Sequence, residues 1–323
     1  MQELRNEAYK QGFPDVKVSM EVMDNKETEE AVLLQDLRFV VERGPSVRLK
    51  GVRFQGDPDT QRSTLQKQIS FKPDEPLNWL EISKTRRKLM GLGIFKNVGI
   101  EQDPPHGKHR EVIYTLTPSQ RKNLQLLAGW GSYEMARGGI QWEHKNPWGL
   151  AHQYGIGIKQ SFKTTETSAD YSIPQFLGTD LTVFTNAEYN LREEQSFDRS
   201  SRGLSIGTSR YFNRYNLRIS AEYSFTREET TRRQDSDFQS EDNATIGSLS
   251  LRASHDQRNN VINPTEGYNL YANYELANRT IGGSVNFQRM EWGGSYHQPL
   301  LDTLLMHFAW RNGVIYTDNP EED

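Results

Sequence analysis

Ser254-His255-Asp256-Gln257-Arg258-Asn259-Asn260-Val261-Ile262-Asn263-Pro264-Thr265-Glu266-Gly267-Tyr268 is a turn with a strand on each side. Before it, Ala244–Ala253 reads as one strand. After it, Tyr268, Leu270, Ala272, Tyr274 and Leu276 alternate with Asn269, Tyr271, Asn273 and Glu275. That is a period of two, with one apolar and one polar face. Pro264 and Gly267 force the reversal between the strands. Alternating runs of about ten residues joined by turns are how a chain crosses a bilayer as a barrel.

The same pattern recurs from Arg121 onward, in about eleven segments: 121–132, 136–145, 151–163, 168–175, 180–191, 202–212, 215–227, 244–254, 267–277, 284–297 and 303–316. The clearest sets Leu217, Ile219, Ala221, Tyr223 and Phe225 against Arg218, Ser220, Glu222, Ser224 and Thr226. A soluble sandwich also alternates, but its strands cluster near five or six residues. Connections after even-numbered segments are short, as at Asn146-Pro147-Trp148-Gly149, Phe176-Leu177-Gly178-Thr179, Asn213-Arg214 and Gln298-Pro299-Leu300-Leu301; the one through Pro264 is a longer exception. Those after the fifth and seventh, Arg192–Ser201 and Glu228–Asn243, read as long charged loops. Short turns on one rim and long loops on the other fit periplasmic and extracellular sides.

Bulk properties narrow the alternatives. The chain has 323 residues, no cysteine and a net charge of −4. A disulfide framework and a thiolate metal site are excluded, and nothing invites nucleic acid. Mean hydropathy is −0.80, and no apolar run is long enough for a transmembrane helix, a test that barrels escape. The start, Met1-Gln2-Glu3-Leu4-Arg5, lacks the apolar core of a signal peptide.

The first third reads differently. Val47, Leu49, Val52 and Phe54 suggest a strand, irregular around Gly51. Asp57-Pro58-Asp59 signals a helix over Thr60–Ile69. A second helix runs from about Asn78 to Met90, with Gly91 or Gly93 as its stop. Ile94–Glu101 and Glu111–Leu116 follow as strands, for an order β-α-α-β-β. Residues 1–43 repeat the second half of this plan: helix Leu4–Gln11, strand Val16–Val22, polar turn Asp24–Glu30, strand Val32–Glu42.

This order resembles the polypeptide-transport-associated (POTRA) module, carried by Val47-Arg48-Leu49-Lys50-Gly51-Val52-Arg53-Phe54 and Leu92-Gly93-Ile94-Phe95-Lys96-Asn97-Val98. POTRA modules followed by a barrel, with the turn Asp256, Arg258, Pro264, Thr265, Gly267 and Tyr268, resemble the outer-membrane assembly-factor superfamily (BamA- and TamA-like, with a surface-antigen-type barrel). The resemblance implies α+β POTRA modules followed by an antiparallel transmembrane β-barrel, incomplete, with about eleven of sixteen strands. Its boundaries are 1–44 for the C-terminal part of one POTRA module, 45–119 for a complete one and 120–323 for the N-terminal part of the barrel. The family's Val-Arg-Gly-aromatic loop motif is expected beyond Thr317–Asp323, and the chain is expected to be a fragment at both ends.

The resemblance further implies a protein in the outer membrane of a Gram-negative-type bacterium, with its N-terminal modules in the periplasm. It would be an assembly factor that folds and inserts β-barrel proteins into that membrane, with unfolded β-barrel proteins, outer-membrane lipid, accessory lipoproteins and periplasmic chaperones as partners, no nucleic acid and no cofactor. The first barrel strand, Asn123, Leu124, Gln125, Leu126, Leu127, Ala128, Gly129, Trp130 and Gly131, would be a lateral gate that templates an incoming strand. Gly129 and Gly131 suit such a gate and equally suit barrel curvature. The strand Lys96, Asn97, Val98, Gly99, Ile100 and Glu101 would bind substrate by β-augmentation. Alternatives are a two-partner-type secretion pore, TamA-like autotransporter assembly, a porin or an outer-membrane enzyme.

No catalytic or metal site is expected. Ser254, His255 and Asp256 are adjacent, and neighbours on a strand point to opposite faces, so they cannot align as a triad. His106 and His109 lack the helical spacing of a zinc site. Gly91-x-Gly93 and Gly129-x-Gly131 do not open helices and so are not phosphate cradles.

Overall fold

In a computed structural model of the chain, residues 1–27, 33–194, 197–232, 242–301 and 304–317 are described. The chain divides into two compact units, Met1–Gln120 with Trp148–Ala151, and Arg121–Pro147 with His152–Asp323.

The first unit contains α1 (Gln2–Lys10), β1 (Lys17–Glu27), β2 (Leu33–Glu42), β3 (Arg48–Gln55), α2 (Arg62–Gln66), α3 (Trp79–Gly91), β4 (Phe95–Asp103) and β5 (His109–Pro118). β1 and β2 form an antiparallel pair. The other three strands form a sheet of order β3-β5-β4, with β3 parallel and β4 antiparallel to the central β5. The irregularity at Gly51 is a register shift between Leu49 and Gly51. Central β5 buries Val112, Tyr114 and Leu116, and α3 brings Ile82 and Leu89 onto them. Each such side chain contributes about 1.5–3 kcal/mol. The Tyr114 hydroxyl donates to the Ile82 carbonyl (3.0 Å). Asn78 caps α3 by accepting from the Leu80 N–H (3.0 Å).

Two expectations for this unit need correction. The helix signalled at Asp57 starts later and is shorter. Asp57 accepts from the Asp59 N–H and the Thr60 hydroxyl, so the signal is spent on a side-chain turn, and α2 begins only at Arg62. The polar turn expected from Asp24 is partly strand, because β1 continues to Glu27 past a register shift between Val22 and Asp24. The rest of that turn lies outside the described residues.

The second unit is one antiparallel sheet in which every strand pairs with its sequence neighbours. Its strands are β6 (Lys122–Gly131), β7 (Met135–Lys145), β8 (Gln153–Ser161), β9 (Thr164–Ile173), β10 (Leu181–Glu193), β11 (Phe197–Phe212), β12 (Leu217–Arg232), β13 (Asp242–Asp256), β14 (Gly267–Ala277), β15 (Phe287–Leu301) and β16 (Leu304–Thr317). Register carries the alternation across strands. Leu126 faces Ile140, which faces Ile158; Leu204 faces Phe225; Leu251 faces Tyr274, which faces Met290. These side chains share one face and most are exposed on it. The opposite face carries Gln125, Gln141, Glu188, Arg252, Glu275 and Arg289, each one residue out of step with the apolar set.

The charged stretches after the fifth and seventh barrel strands are corrected in the same way. Arg192 and Glu193 belong to β10, residues 197–201 to β11 and residues 228–232 to β12. Without apolar periodicity these ends look like loop, but cross-strand charge pairs such as Arg199–Glu228 (2.5 Å) extend the ladder. Residues 195–196 and 233–241 are outside the described ones. Gln298–Leu301, expected as a turn, extends β15 with a register shift between Pro299 and Leu301.

Candidate functional site

The sheet has two edges, β6 and β16. β6 pairs with β7 from Lys122↔His144 to Gly131↔Met135 and has no partner on its other side among the described residues. Half of its backbone N–H and C=O groups therefore face outward, as a template for another strand. Leu124, Leu126, Ala128 and Trp130 lie on the apolar face, with Leu126 76% and Trp130 71% exposed. Asn123, Gln125, Leu127, Gly129 and Gly131 lie on the other. Gly129 and Gly131 are not imposed by packing. A methyl group at 129 would meet only the flexible Arg137 side chain, and one at 131 would meet nothing within 4 Å.

The wall beside this edge is thin. On the polar face, a hollow of about 500 Å3 is bordered by Gly139, Gly157, Gln125, Leu127, Gln141 and Glu188. On the apolar face, Gly138 leaves another beside Ile140, Trp142, Ile156 and Ile158. Strands flanked by glycine lose side-chain packing on both faces and bend more readily.

The second candidate edge is β4. It lies at a border of its sheet, and Phe95 and Val98 are buried beneath it. Lys96 sits at a register shift between Phe95 and Asn97. Arg86 Nε donates to the Val98 carbonyl (2.7 Å), so one backbone acceptor of Lys96–Glu101 is already engaged.

The turn between β13 and β14 is a hydrogen-bonded clasp. Arg258 donates from Nε and a terminal nitrogen to both oxygens of Asp256 (2.9 and 2.6 Å), and Asn269 adds a bond to Asp256 (3.2 Å). The Gln257 N–H donates to the Tyr268 carbonyl (2.8 Å). Gly267 has φ +101°, and a Cβ there would fall 2.2 Å from the Gln257 carbonyl oxygen, so only glycine fits. Thr265 is held by Asn259, whose side chain also accepts the Thr265 and Glu266 N–H groups. Asn260 accepts the Ile262 and Asn263 N–H groups. Asn259 and Asn260 went unmarked in the sequence reading, although an Asn-Asn pair ahead of Pro-Thr is a signal for such side-chain turns. His255 is apart from Ser254 and Asp256, on the opposite face, against the Tyr268 hydroxyl (3.2 Å).

The sequence reading also passed over a charge ladder on the polar face. Arg252 meets Glu222 (3.0 Å), Arg289 meets Glu275 (2.7 Å) and Arg311 meets Glu291 (3.4 Å), with Tyr271 accepting from Arg311 (3.1 Å). It crosses β12 to β16. Each residue looks like an isolated charge until the register is known.

Comparison with known proteins bears on this arrangement. The Omp85 superfamily domain model matches residues 146–322, more than half of the chain. The outer membrane protein assembly factor BamA of Neorickettsia risticii is 20% identical over 289 residues, covering 87% of this chain and 39% of that protein. The chain thus spans about two-fifths of the length of that relative. Among solved structures, BamA from Haemophilus ducreyi lacking POTRA domains 1–3 superposes with a TM-score of 0.71 at 15% identity, over 98% of this chain and 63% of that one. CdiB from Escherichia coli superposes with a TM-score of 0.60 at 15% identity, over 98% and 61%. At such identities the likeness to the solved structures is one of fold.

Proposed function

We propose that this chain, which belongs to the Omp85 superfamily, works within an outer-membrane factor that folds and inserts β-barrel proteins. The observation that carries the proposal is that β6, the first strand of the sheet, has no partner on its outer side among the described residues and lies beside a glycine-containing wall. In this reading the apolar face of the sheet meets lipid and the polar face lines a lumen. β6 separates from the strand that closes the barrel, and its exposed N–H and C=O groups pair with the first strand of an unfolded substrate. No bond is made or broken, so no catalytic residue is assigned. Residues 45–119 act as a POTRA module in the periplasm and residues 1–44 as the end of another. The β4 edge there offers a second strand-pairing surface, narrowed at Val98 by Arg86. Accessory lipoproteins and periplasmic chaperones belong to the same reading.

The test is a covalent lock. Cysteines are placed at Leu126 and in the closing strand of the full-length protein. Oxidation is expected to stop barrel assembly in cells, and reduction to restore it. Unimpaired assembly in the locked protein would exclude a lateral gate.

The likeness to CdiB, over nearly the whole chain, favours a second reading, a two-partner-type pore that threads a polypeptide through the lumen. Such a pore would keep working with β6 locked, so the same experiment separates the two.

A further inference from the structure

The apolar face of β11 is bracketed by two arginines, Arg202 and Arg210, which share a face with Leu204 and Ile206. They are about 26 Å apart along the strand at ~3.3 Å per residue, or roughly 20 Å of height at a tilt near 40°. The lipid-facing band of an outer-membrane barrel is about 25 Å tall, so both arginines sit at its borders. Arg210, on the short-turn rim, is supplied with Asp180 (3.4 Å) and lies over Phe212 (4.9 Å). Arg202, on the long-connection rim, differs. The residue paired directly opposite it on β12 is Arg227, also on the apolar face. Like charges in such a cross-strand pair, about 5 Å apart at Cβ, destabilise the sheet unless an anion joins them.

The partners on the page do not supply that anion in full. Arg227 pairs with Glu229 (2.8 Å). Arg202 has no carboxylate partner among the described residues and lies over the Tyr189 ring (5.8 Å). Of the two facing guanidinium groups at the border of the apolar band, only that of Arg227 meets a carboxylate. On the polar face the comparable arginines are matched, Arg199 by Glu228 and Arg252 by Glu222.

We propose that Arg202 and Arg227 form a binding site for a lipid whose head group carries phosphomonoesters, with Tyr189 beside the first sugar or glycerol unit. Guanidinium forks match phosphate oxygens, and a dianionic phosphomonoester relieves the repulsion of the pair. Leu204 and Phe225, one step below on the same face, receive the acyl chains. The proposal rests on the membrane-barrel reading given above.

The test uses the full-length protein in mild detergent and native mass spectrometry. The probes are bis-phosphorylated lipid A and its fully dephosphorylated form. Wild type is expected to retain the phosphorylated probe selectively. R202Q/R227Q is expected to lose adducts by roughly tenfold or more, as removing charge-assisted hydrogen bonds implies. Single R202Q and R227Q variants should fall between, and R210Q should bind like wild type. Equal retention of the dephosphorylated probe, undiminished binding by R202Q/R227Q, or an equal loss in R210Q would each overturn the site. Heat-dependent gel mobility of the same samples monitors the barrel. If wild type shows no such shift, the membrane-barrel reading fails and takes this site with it. If the shift is present, a negative lipid result counts against the site alone.

Discussion

At the scale of single residues, the most constrained charge in the first unit is Arg110. It is 1% exposed and donates to both oxygens of Asp15, to Gln102 (2.8 Å) and to the Gly107 carbonyl (3.0 Å). Every donor direction near a buried guanidinium that lacks a partner is costly, so this set ties the segment after α1 to the start of β5. The Arg110 hydrogen bond holds the Asp15 carboxyl below its ordinary value. A depressed carboxylate stabilises the fold fully above its unfolded value, about pH 4, and the benefit drains away as pH falls through the lower folded value. Asp15 is 39% exposed, so solvent screens part of the effect. Asp15→Asn should therefore cost about 1–3 kcal/mol at pH 7 and progressively less as the pH is lowered below about 4, measured by thermal melts of the full-length protein across that range. A difference that does not shrink on acidification would remove the ion pair from the explanation. Gly267 supplies a second residue-scale prediction. Gly267→Ala forces a Cβ onto the Gln257 carbonyl at positive φ and should destabilise the turn by several kcal/mol or block refolding, read as lost heat-dependent gel mobility.

At the scale of elements, the glycines of the sheet differ in what surrounds them. Gly139 and Gly207 are hemmed in by neighbouring atoms, whereas Gly131 has open space around its missing side chain. Gly131→Val should thus leave folding intact, raise strand propensity and stiffen the β6 edge. The expected outcome is a well-folded protein with slower barrel assembly, measured as the rate of substrate insertion in reconstituted vesicles; an unchanged rate would assign the glycine to curvature alone. Elements also mark where sequence reading works. Residues 217–226 were legible because apolar and polar residues alternate without a break. The ends of β10, β11 and β12 were not, because there both faces carry charge and the pairing of Arg199 with Glu228 depends on a strand elsewhere in the chain. The helix at 60–69 was overdrawn because Asp57 serves a local turn instead of a cap. Of the candidate sites, β6 as a strand lay open in the alternation of Leu124, Leu126 and Trp130, its role as a gate came from the family resemblance alone, and Asn259, Asn260 and the ladder through Arg252 and Arg289 needed the register.

At the scale of the whole molecule, the sheet presents an apolar face that is exposed on β6 to β8 and on β11 to β16, and its polar face is stitched by ion pairs. A water-soluble protein would have to cover such an expanse of Leu, Ile, Phe and Trp; a bilayer covers it at no cost. Residues 1–323 contain no cysteine, so with any cysteine elsewhere in the full-length protein replaced, single spin labels can be placed along β12 in lipid vesicles, from Arg218 to Phe225. Collision rates with oxygen, which concentrates in lipid, and with a water-soluble nickel chelate should alternate with a period of two: oxygen high at 219, 221, 223 and 225, nickel high at 218, 220, 222 and 224. Nickel access at every position, or shielding from both reagents on the Ile219–Phe225 face, would contradict a lipid-facing sheet.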